Sequence, residues 1–227
     1  MTKVSRINSI AAIILASLAA SCNYVSPIMP WEDGVIPYYL TGEYSNDEID
    51  AINQAMQSWE ESCGVWFQMV TPRTYAYEII KTLNSNTWAS SIGENNVYNH
   101  MYFGTGGGEL GHVRHELGHC LGLIHEHQRP DRDLYVDIVW EKIFPEYAHN
   151  FEKDDNPLIT EQNCPYDYRS IMHYHSTGFS IDGSETIVPL DPDIEIERTD
   201  ELTDDDRKKC REIYGDPIED REEPPPY

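Results

Sequence analysis

The chain has 227 residues, of which 40% are hydrophobic, so it can bury one full core, and no internal repeat or long linker divides it. With 40 acidic and 16 basic residues its formal net charge is −24, which speaks against nucleic acid and anionic membrane surfaces as partners. Proteins and peptides are the natural partners of so acidic a chain, and we expect a monomer.

The first 21 residues have the layout of a secretion signal. Lys3 and Arg6 precede an apolar run over residues 10–20, and small residues follow through Ser21. This run is too short for a stable membrane span. We therefore expect residues 1–21 to be a signal peptide, residues 22–30 to be a short N-terminal or pro segment, and the mature chain to be secreted or extracytoplasmic, without a transmembrane span.

The next hundred residues predict a sheet and a long helix. Strands are predicted at residues 35–40, 65–70, 75–80 and 97–103. Between the first two, Ser45-Asn46-Asp47-Glu48 is typical of a capping box, and apolar residues follow at helical spacing. If residues 97–103 form the edge of a cleft, a substrate would add to them as an antiparallel strand through main-chain hydrogen bonds.

Three histidines and a glutamate follow at the spacing that builds a catalytic zinc site. On a helix, His115 and His119 lie at i and i+4 and project from one face. Gly122 lets the backbone leave the helix, because a residue without Cβ readily adopts a left-handed conformation, and the turning chain brings in His125 as a third ligand. The helix is predicted to begin just before His115 and to end near Gly122.

Three protein ligands leave one metal position open for water, as in catalytic rather than structural zinc sites. Glu116 would remove a proton from this water. The alternative, ordinary polar residues on a helix, requires five fixed positions to coincide, which we expect in roughly one random chain in ten thousand. The other histidines are expected to be surface or hydrogen-bonded residues: His100, His112, His127, His149, His173 and His175.

This motif resembles that of the metzincin metalloproteases, and its continuation over residues 126–133, Glu-His-Gln-Arg-Pro-Asp-Arg-Asp, is similar to the astacin family. Residues 31–39 resemble the family's opening strand, residues 170–174 its Met-turn with the following tyrosine, and residues 185–190 a later segment. The resemblance implies an α+β, two-lobed catalytic domain over residues 31–215. Such a domain has an N-terminal mixed sheet with two long helices, a zinc cleft, and an irregular C-terminal lobe with a terminal helix.

The resemblance also implies roles for individual residues. Met172 would lie beneath the metal as an apolar floor. Tyr174 would be a further zinc ligand that swings away and donates a hydrogen bond to the oxyanion. Glu126 matches the glutamate that anchors the buried amino terminus of mature family members.

The implied function is a secreted endopeptidase that hydrolyses protein and peptide bonds, with Zn²⁺ on the three histidines and Glu116 as general base. The competing class is a noncatalytic zinc-binding or adhesion module on the same fold. Glu116 speaks against that class, because a purely binding site would not require it.

The C-terminal region predicts one helix and a tail. Thr203 followed by three aspartates suits the first turn of a helix, because acidic groups there meet the positive end of the helix dipole. Residues 216–227 are expected to be an acidic disordered tail.

Five cysteines in an exported chain predict two disulfides and one cysteine left over. The resemblance implies a bridge between Cys63 and Cys210, from the first long helix to the C-terminal region. Cys120 and Cys164 would then form the second pair, and Cys22 would be the odd residue.

Cys22 is open to three hypotheses. The family's usual long propeptide does not fit between residue 21 and Trp31, so the chain resembles a bacterial-type member with a short pro-segment. Latency would then need another device, and a Cys22 thiolate on the open zinc position would supply it. Alternatively, residues 18–22 form a loose lipobox and Cys22 is the lipidated first residue of an envelope-anchored protein, or Cys22 is a free thiol.

Overall fold

The computed structural model describes residues 28–72, 75–82, 85, 87–94, 98–104, 110–154 and 164–218. The predicted signal peptide, Cys22 and the tail beyond residue 218 lie outside these residues. The helices are α1 (Asn46–Glu60), α2 (Leu110–Cys120) and α3 (Asp204–Tyr214), and the strands are β1 (Val35–Thr41), β2 (Trp66–Met69), β3 (Tyr77–Lys81), β4 (Ala89–Ser90), β5 (Asn99–Phe103), β6 (Val136–Ile138) and β7 (Ile187–Pro189). Short 3₁₀ helices cover Glu32–Gly34, Glu126–Gln128, Arg132–Leu134, Trp140–Lys142 and Pro145–Phe151.

A five-stranded mixed sheet forms the N-terminal lobe, in the order β2-β1-β3-β5-β4. β1, β2, β3 and β5 are parallel, and β4 runs antiparallel to β5. The four strands predicted from the sequence therefore form: β1 is one residue longer than predicted, and β2, β3 and β5 are each shorter, by one or two residues. Ile36, Ile79 and Met101 are fully buried, because these strands pack their apolar side chains against the helices.

The condition that residues 97–103 form the edge of the cleft is not met. β5 lies between β3 and β4, with Ala89 opposite Tyr102 and Ser90 opposite Met101. The edge beside the cleft is β4, whose two residues are too few to show a strand pattern in the sequence.

α1 begins where the capping box predicts. The Ser45 hydroxyl accepts the N–H of Glu48, and the Glu48 carboxylate accepts the N–H of Ser45 at 2.9 Å. The inner face of α1 buries Ile52, Met56 and Trp59 against the sheet and α2.

The C-terminal lobe has its own smaller core and little regular structure. Ile138, Phe151 and Ile187 pack there around the two-stranded antiparallel sheet of β6 and β7. The α+β, two-lobed architecture is as predicted. Within the described residues, none of the helices has the length and apolar character needed to cross a membrane.

α3 is tied to the N-terminal lobe by a disulfide. Thr203 caps the helix, as its sequence predicts, through a reciprocal pair of hydrogen bonds with Asp206. Six residues into α3, Cys210 is bonded to Cys63, which follows α1. The predicted pairing of Cys63 with Cys210 is therefore present.

The predicted pairing of Cys120 with Cys164 is wrong, because both are buried free thiols. Cys120 lies in the main core, where its side chain is buried together with Tyr77 and burial strongly raises the pKa of its thiol. Cys164 lies in the other lobe, where its carbonyl accepts a hydrogen bond from Arg129. Counting cysteines cannot reveal that two of them are buried apart from each other.

Candidate metal centre and cleft

Two of the three motif histidines lie one turn apart on α2. His115 and His119 are buried, and their ring centroids are 4.8 Å apart. α2 begins at Leu110, earlier than predicted, and packs against α1, where the Trp59 indole donates a 2.9 Å hydrogen bond to the carbonyl of Arg114. Helical spacing therefore directs both imidazoles to one place.

The chain turns away from α2 at Gly122, whose φ of +93° lies in the region that favours glycine. The Gly122 N–H donates to the carbonyl of His119 at 2.8 Å, and the Leu123 N–H donates to the carbonyl of Gly118 at 3.0 Å, which closes the helix end. Beyond this turn, the Nε2 atom of His125 lies 3.1 Å from Nε2 of His119.

Hydrogen bonds orient all three imidazoles. Each Nδ1 atom lies 2.7 Å from an oxygen that can only accept a hydrogen bond, so each neutral ring carries its proton on Nδ1 and presents the lone pair of Nε2 to the centre. The acceptors for His115, His119 and His125 are, in that order, the carbonyl oxygens of Ile171 and Leu123 and the side-chain oxygen of Gln128.

Burial keeps these rings neutral. It lowers the pKa of His119 to about 4, and burial together with the neighbouring histidines lowers the pKa of His115 and His125 well below the usual range. Their ligand atoms lie within 4.8 Å of one another, and no other such cluster of His, Cys, Asp and Glu occurs among the described residues. Three converging lone pairs repel one another unless a cation lies between them, so these residues fit a metal ion.

Glu116 is buried beside His115 with one oxygen unsatisfied. Its Oε2 atom has no hydrogen-bond partner in the described part of the chain. Burial raises the pKa of Glu116 to about 8, and a bound cation would lower it by favouring the carboxylate. Since an unpartnered buried oxygen costs free energy, this atom fits a site that receives a further group, such as a water molecule.

Sequence reasoning missed Arg198, which lies in the cleft with Glu116. The guanidinium opposes the rise in the pKa of Glu116, and burial lowers the pKa of Arg198. Arg198 belongs to the acidic, irregular segment after β7, where a single arginine carries no spacing signal. Only the fold brings it to α2.

Met172 packs under the metal-binding helix. It is 1% exposed, and a Cβ on Gly118 would lie 2.5 Å from its Sδ atom. Gly118, a motif position to which sequence reasoning gave no role, therefore lets Met172 approach α2.

Tyr174 lies against the third histidine. Its ring centroid is 4.4 Å from that of His125 and 4.2 Å from that of His127. Burial and the Glu116 charge raise the pKa of the phenol to about 12. The role of Tyr174 as a zinc ligand remains a prediction.

Glu126 is held by cations from the chain itself. Its carboxylate accepts hydrogen bonds from Lys209 of α3 at 2.6 Å, from Arg129 at 2.9 Å and from the backbone N–H of Asp167 at 2.8 Å. Glu126 and Lys209 are both 2% exposed, so this ion pair ties α3 to the segment after His125. An interaction with the amino terminus remains a prediction, since residues 1–27 are not described.

Asp206 connects α3 to the metal centre, which the sequence did not predict. Its buried carboxylate accepts hydrogen bonds from the Ser170 hydroxyl and from the N–H of Ile171 at 3.0 Å. The carbonyl of the same Ile171 accepts the Nδ1 proton of His115. Asp206 thus fixes the peptide that orients a metal-facing imidazole.

A cleft with a volume of about 420 Å³ opens over these residues. Ala89 and Ser90 of β4 line one wall, with Trp88 stacked on His112 at 5.2 Å. On the other wall lie residues of the C-terminal lobe: Asn150, Tyr174, Phe179 and Arg198.

The two-lobed fold and the three-histidine site on a helix and its following turn define the metzincin class. Residues 24–215 match the family model described as Astacin (Peptidase family M12A). The chain belongs to the astacin family. The family and the donor set make Zn²⁺ the cofactor.

Individual relatives agree with this assignment. The chain is 35% identical over 195 residues to zinc metalloproteinase nas-14 of Caenorhabditis elegans, covering 81% of the chain and 37% of that protein. It is 36% identical over 184 residues to high choriolytic enzyme 1 of Oryzias latipes, covering 80% of the chain and 66% of that protein. The chain therefore spans less than two thirds of the length of either relative.

The fold of the chain is also similar to that of a solved structure. High choriolytic enzyme 1, a hatching enzyme zinc-protease from Oryzias latipes, superimposes with a TM-score of 0.72 at 32% identity, covering 84% of this chain and 94% of that chain.

Proposed function

We propose that the chain is a zinc-dependent endopeptidase that hydrolyses bonds in proteins and peptides. The observation that carries the proposal is the convergence of three Nε2 lone pairs beside the unpartnered Oε2 atom of Glu116. A binding site would need the imidazoles but not a buried carboxylate with a free oxygen. Membership of a peptidase family and zinc-protease relatives support the same reading.

In this proposal His115, His119 and His125 hold the zinc ion. Zinc, when bound, acts as a Lewis acid that lowers the pKa of water and polarises a carbonyl group. Glu116 accepts a proton from the attacking water at Oε2 and delivers it to the nitrogen of the leaving amine as the C–N bond breaks. Its position suits this exchange, because the buried Oε2 atom has no hydrogen-bond partner among the described residues and is free to accept and return a proton.

Tyr174 would support the transition state. The raised pKa keeps its phenol protonated at neutral pH, so it can donate a hydrogen bond to the oxygen on which negative charge develops. Its place in the cleft wall beside His125 supports this role.

The cleft geometry favours an extended polypeptide as substrate. β4 has β5 on one side, and Ala89 and Ser90 line the cleft. A peptide that pairs with the other edge of β4 would gain main-chain hydrogen bonds independent of its side chains.

The direct test is hydrolysis of unfolded casein by the zinc-loaded Cys22→Ser protein, expressed without residues 1–21, in which Cys22 cannot block the metal. We expect cleavage into peptides, loss of cleavage after chelation, and recovery when one equivalent of zinc is returned. His119→Phe is the control, because it removes one ligand and should stay inactive at the same zinc concentration. Zinc-loaded Cys22→Ser protein that leaves casein intact would overturn the proposal.

We also propose export and latency through Cys22. The arrangement of residues 1–21 supports export, and the absence of a fourth His, Cys, Asp or Glu from the described cluster leaves room for a Cys22 thiolate on the metal. Comparing casein hydrolysis by wild type and Cys22→Ser, both expressed without residues 1–21, tests this latency. A latent wild type beside an active variant supports the switch, and equal activity contradicts it.

A further inference from the structure

Three exposed aromatic residues continue one wall of the cleft outward. Phe144, Tyr147 and Phe179 are 40%, 41% and 37% exposed. Large aromatic side chains seldom stay this exposed in a cluster without a binding role. We call these three residues the aromatic ledge.

Ring contacts join the aromatic ledge to the metal centre. Phe179 lines the cleft, and its ring centroid lies 5.5 Å from that of Tyr174. Beyond it, Tyr147 lies 4.6 Å from Phe179, and Phe144 lies 6.5 Å from Tyr147. The aromatic ledge and the cleft therefore share Phe179 and form one continuous surface.

Backbone pairing fixes this arrangement. Ile143 and Ser180 form an antiparallel bridge, the Phe144 N–H donates to the Phe179 carbonyl at 3.0 Å, and the Ile181 N–H donates to the Lys142 carbonyl at 2.9 Å. The two backbone segments that carry Phe144 and Phe179 are thus paired directly with each other.

Phe179 has an unfavourable backbone conformation. Its φ is +53°, in the third position of a turn closed by the Ser180 N–H and the Thr177 carbonyl at 3.1 Å. A bulky residue costs about 1–3 kcal/mol in this region, whereas glycine adopts it freely. Because the residue is more than one third exposed, core packing alone does not account for a phenylalanine here.

We propose that the aromatic ledge binds an apolar side chain of the polypeptide substrate, remote from the scissile bond. This inference rests on the proposed peptidase function. The ring centroids of His125, Tyr174, Phe179 and Tyr147 follow one another at distances of 4.4, 5.5 and 4.6 Å. At about 3.3 Å per residue, an extended peptide reaches Tyr147 within about four residues of the bond.

The test uses a bond that the protein cleaves in casein, mapped by mass spectrometry. A set of ten-residue peptides is made around this bond. Each pair of peptides differs at one position, the third or fourth residue on one side of the bond, which is either leucine or serine. We expect wild type to prefer leucine by about tenfold in kcat/KM at one of these positions. Tyr147→Ser should reduce this preference to about twofold or less. On a shorter peptide that ends before that position, the kcat/KM of Tyr147→Ser should equal that of wild type.

Phe179→Gly is a second variant, because glycine keeps the turn while removing the ring. Tyr75→Gly is the matched control, since Tyr75 is 61% exposed at a φ of +69° but does not line the cleft. Phe179→Gly should lose the leucine preference, and Tyr75→Gly should keep it. Circular dichroism should show that both variants are folded.

Three outcomes would overturn the inference. If wild type cleaves the peptides without preferring leucine at any remote position, the aromatic ledge binds no substrate side chain, although the proposed function survives. If Tyr147→Ser keeps the full preference, another surface supplies it. If the variants change only the oligomeric state in sedimentation, the aromatic ledge is an interface between copies of the chain. Failure of both wild type and Cys22→Ser to cleave any peptide would instead overturn the proposed function.

Discussion

At the scale of single residues, the three imidazoles differ in what orients them. His115 and His119 donate to backbone carbonyls, which no substitution can delete, but His125 donates to the side chain of Gln128. His125 is also the imidazole of the three that lies outside α2 and therefore lacks the support of helical hydrogen bonds. Its orientation depends on Gln128 more than the others depend on any one side chain.

We expect Gln128→Ala to weaken zinc binding by about 10–100-fold, because the ring of His125 loses its acceptor while all three ligands remain. Competition with a chromogenic chelator measures the affinity. Gln128→Glu is the control, since its carboxylate still accepts the Nδ1 proton and should keep affinity near that of wild type. An unchanged affinity in Gln128→Ala would show that the turn alone orients His125.

The motif predicted the site residues that are close in sequence but not those that folding brings to the site from elsewhere in the chain. His115, His119 and His125 are predictable because fixed spacing on a helix and a turn determines where they point. Arg198 and Asp206 reach the same site from the C-terminal region. Asp206 was read correctly as part of a helix start, but its hydrogen bonds to the Met-turn depend on tertiary packing.

At the scale of elements, α2 is the structural centre of the site. One face carries the imidazoles, and another meets Trp59 of α1 and Met172 of the Met-turn at Gly118. A Cβ at position 118 would lie 2.5 Å from Met172 Sδ and 3.2 Å from the Trp59 ring. Such close packing leaves no room for a larger residue.

Gly118→Ala should therefore lower the free energy of unfolding by about 1–3 kcal/mol, measured by urea denaturation of the zinc-loaded protein. Combining it with Met172→Ala tests the cause, because a smaller side chain removes the clash. The double variant should lose less stability than the sum of the two single variants. Simple additivity would show that Gly118 and Met172 do not meet as described.

Elements marked by a local sequence pattern were predictable, whereas elements that depend on pairing with another strand were not. The Ser45 and Thr203 caps mark the starts of α1 and α3, because capping depends on neighbours three residues away. β4 has only two residues, and its strand character comes from pairing with β5. Its position between β5 and the cleft could not be read from its residues.

At the scale of the whole molecule, the metal centre joins the two lobes. His115 and His119 belong to the helix packed under the large sheet, whereas His125 leads into the lobe built on β6 and β7. The disulfide of Cys63 with Cys210 and the ion pair of Glu126 with Lys209 make further connections through α3. Cysteine number alone could not show this pattern, since Cys120 and Cys164 stay apart.

Removing zinc should therefore destabilise the whole chain. A metal present at a thousandfold excess over its dissociation constant stabilises the folded state by about 4 kcal/mol, or about 10 °C in midpoint for a chain of this size. Thermal unfolding with and without chelator measures this difference. His119→Phe should show no such response to zinc, and an identical midpoint for chelated and zinc-loaded wild type would contradict a metal that joins the lobes.

The most direct measurement is the turnover of a casein-derived peptide by zinc-loaded Glu116→Gln beside the protein with Glu116 intact, both carrying Cys22→Ser, with zinc content determined on the same samples. The amide fills the space of the carboxylate but cannot accept the proton from water. We predict equal zinc content and a kcat lower by about 10²–10⁴-fold. Equal turnover at equal zinc content would show that Glu116 is not the base and that the site does not work as proposed.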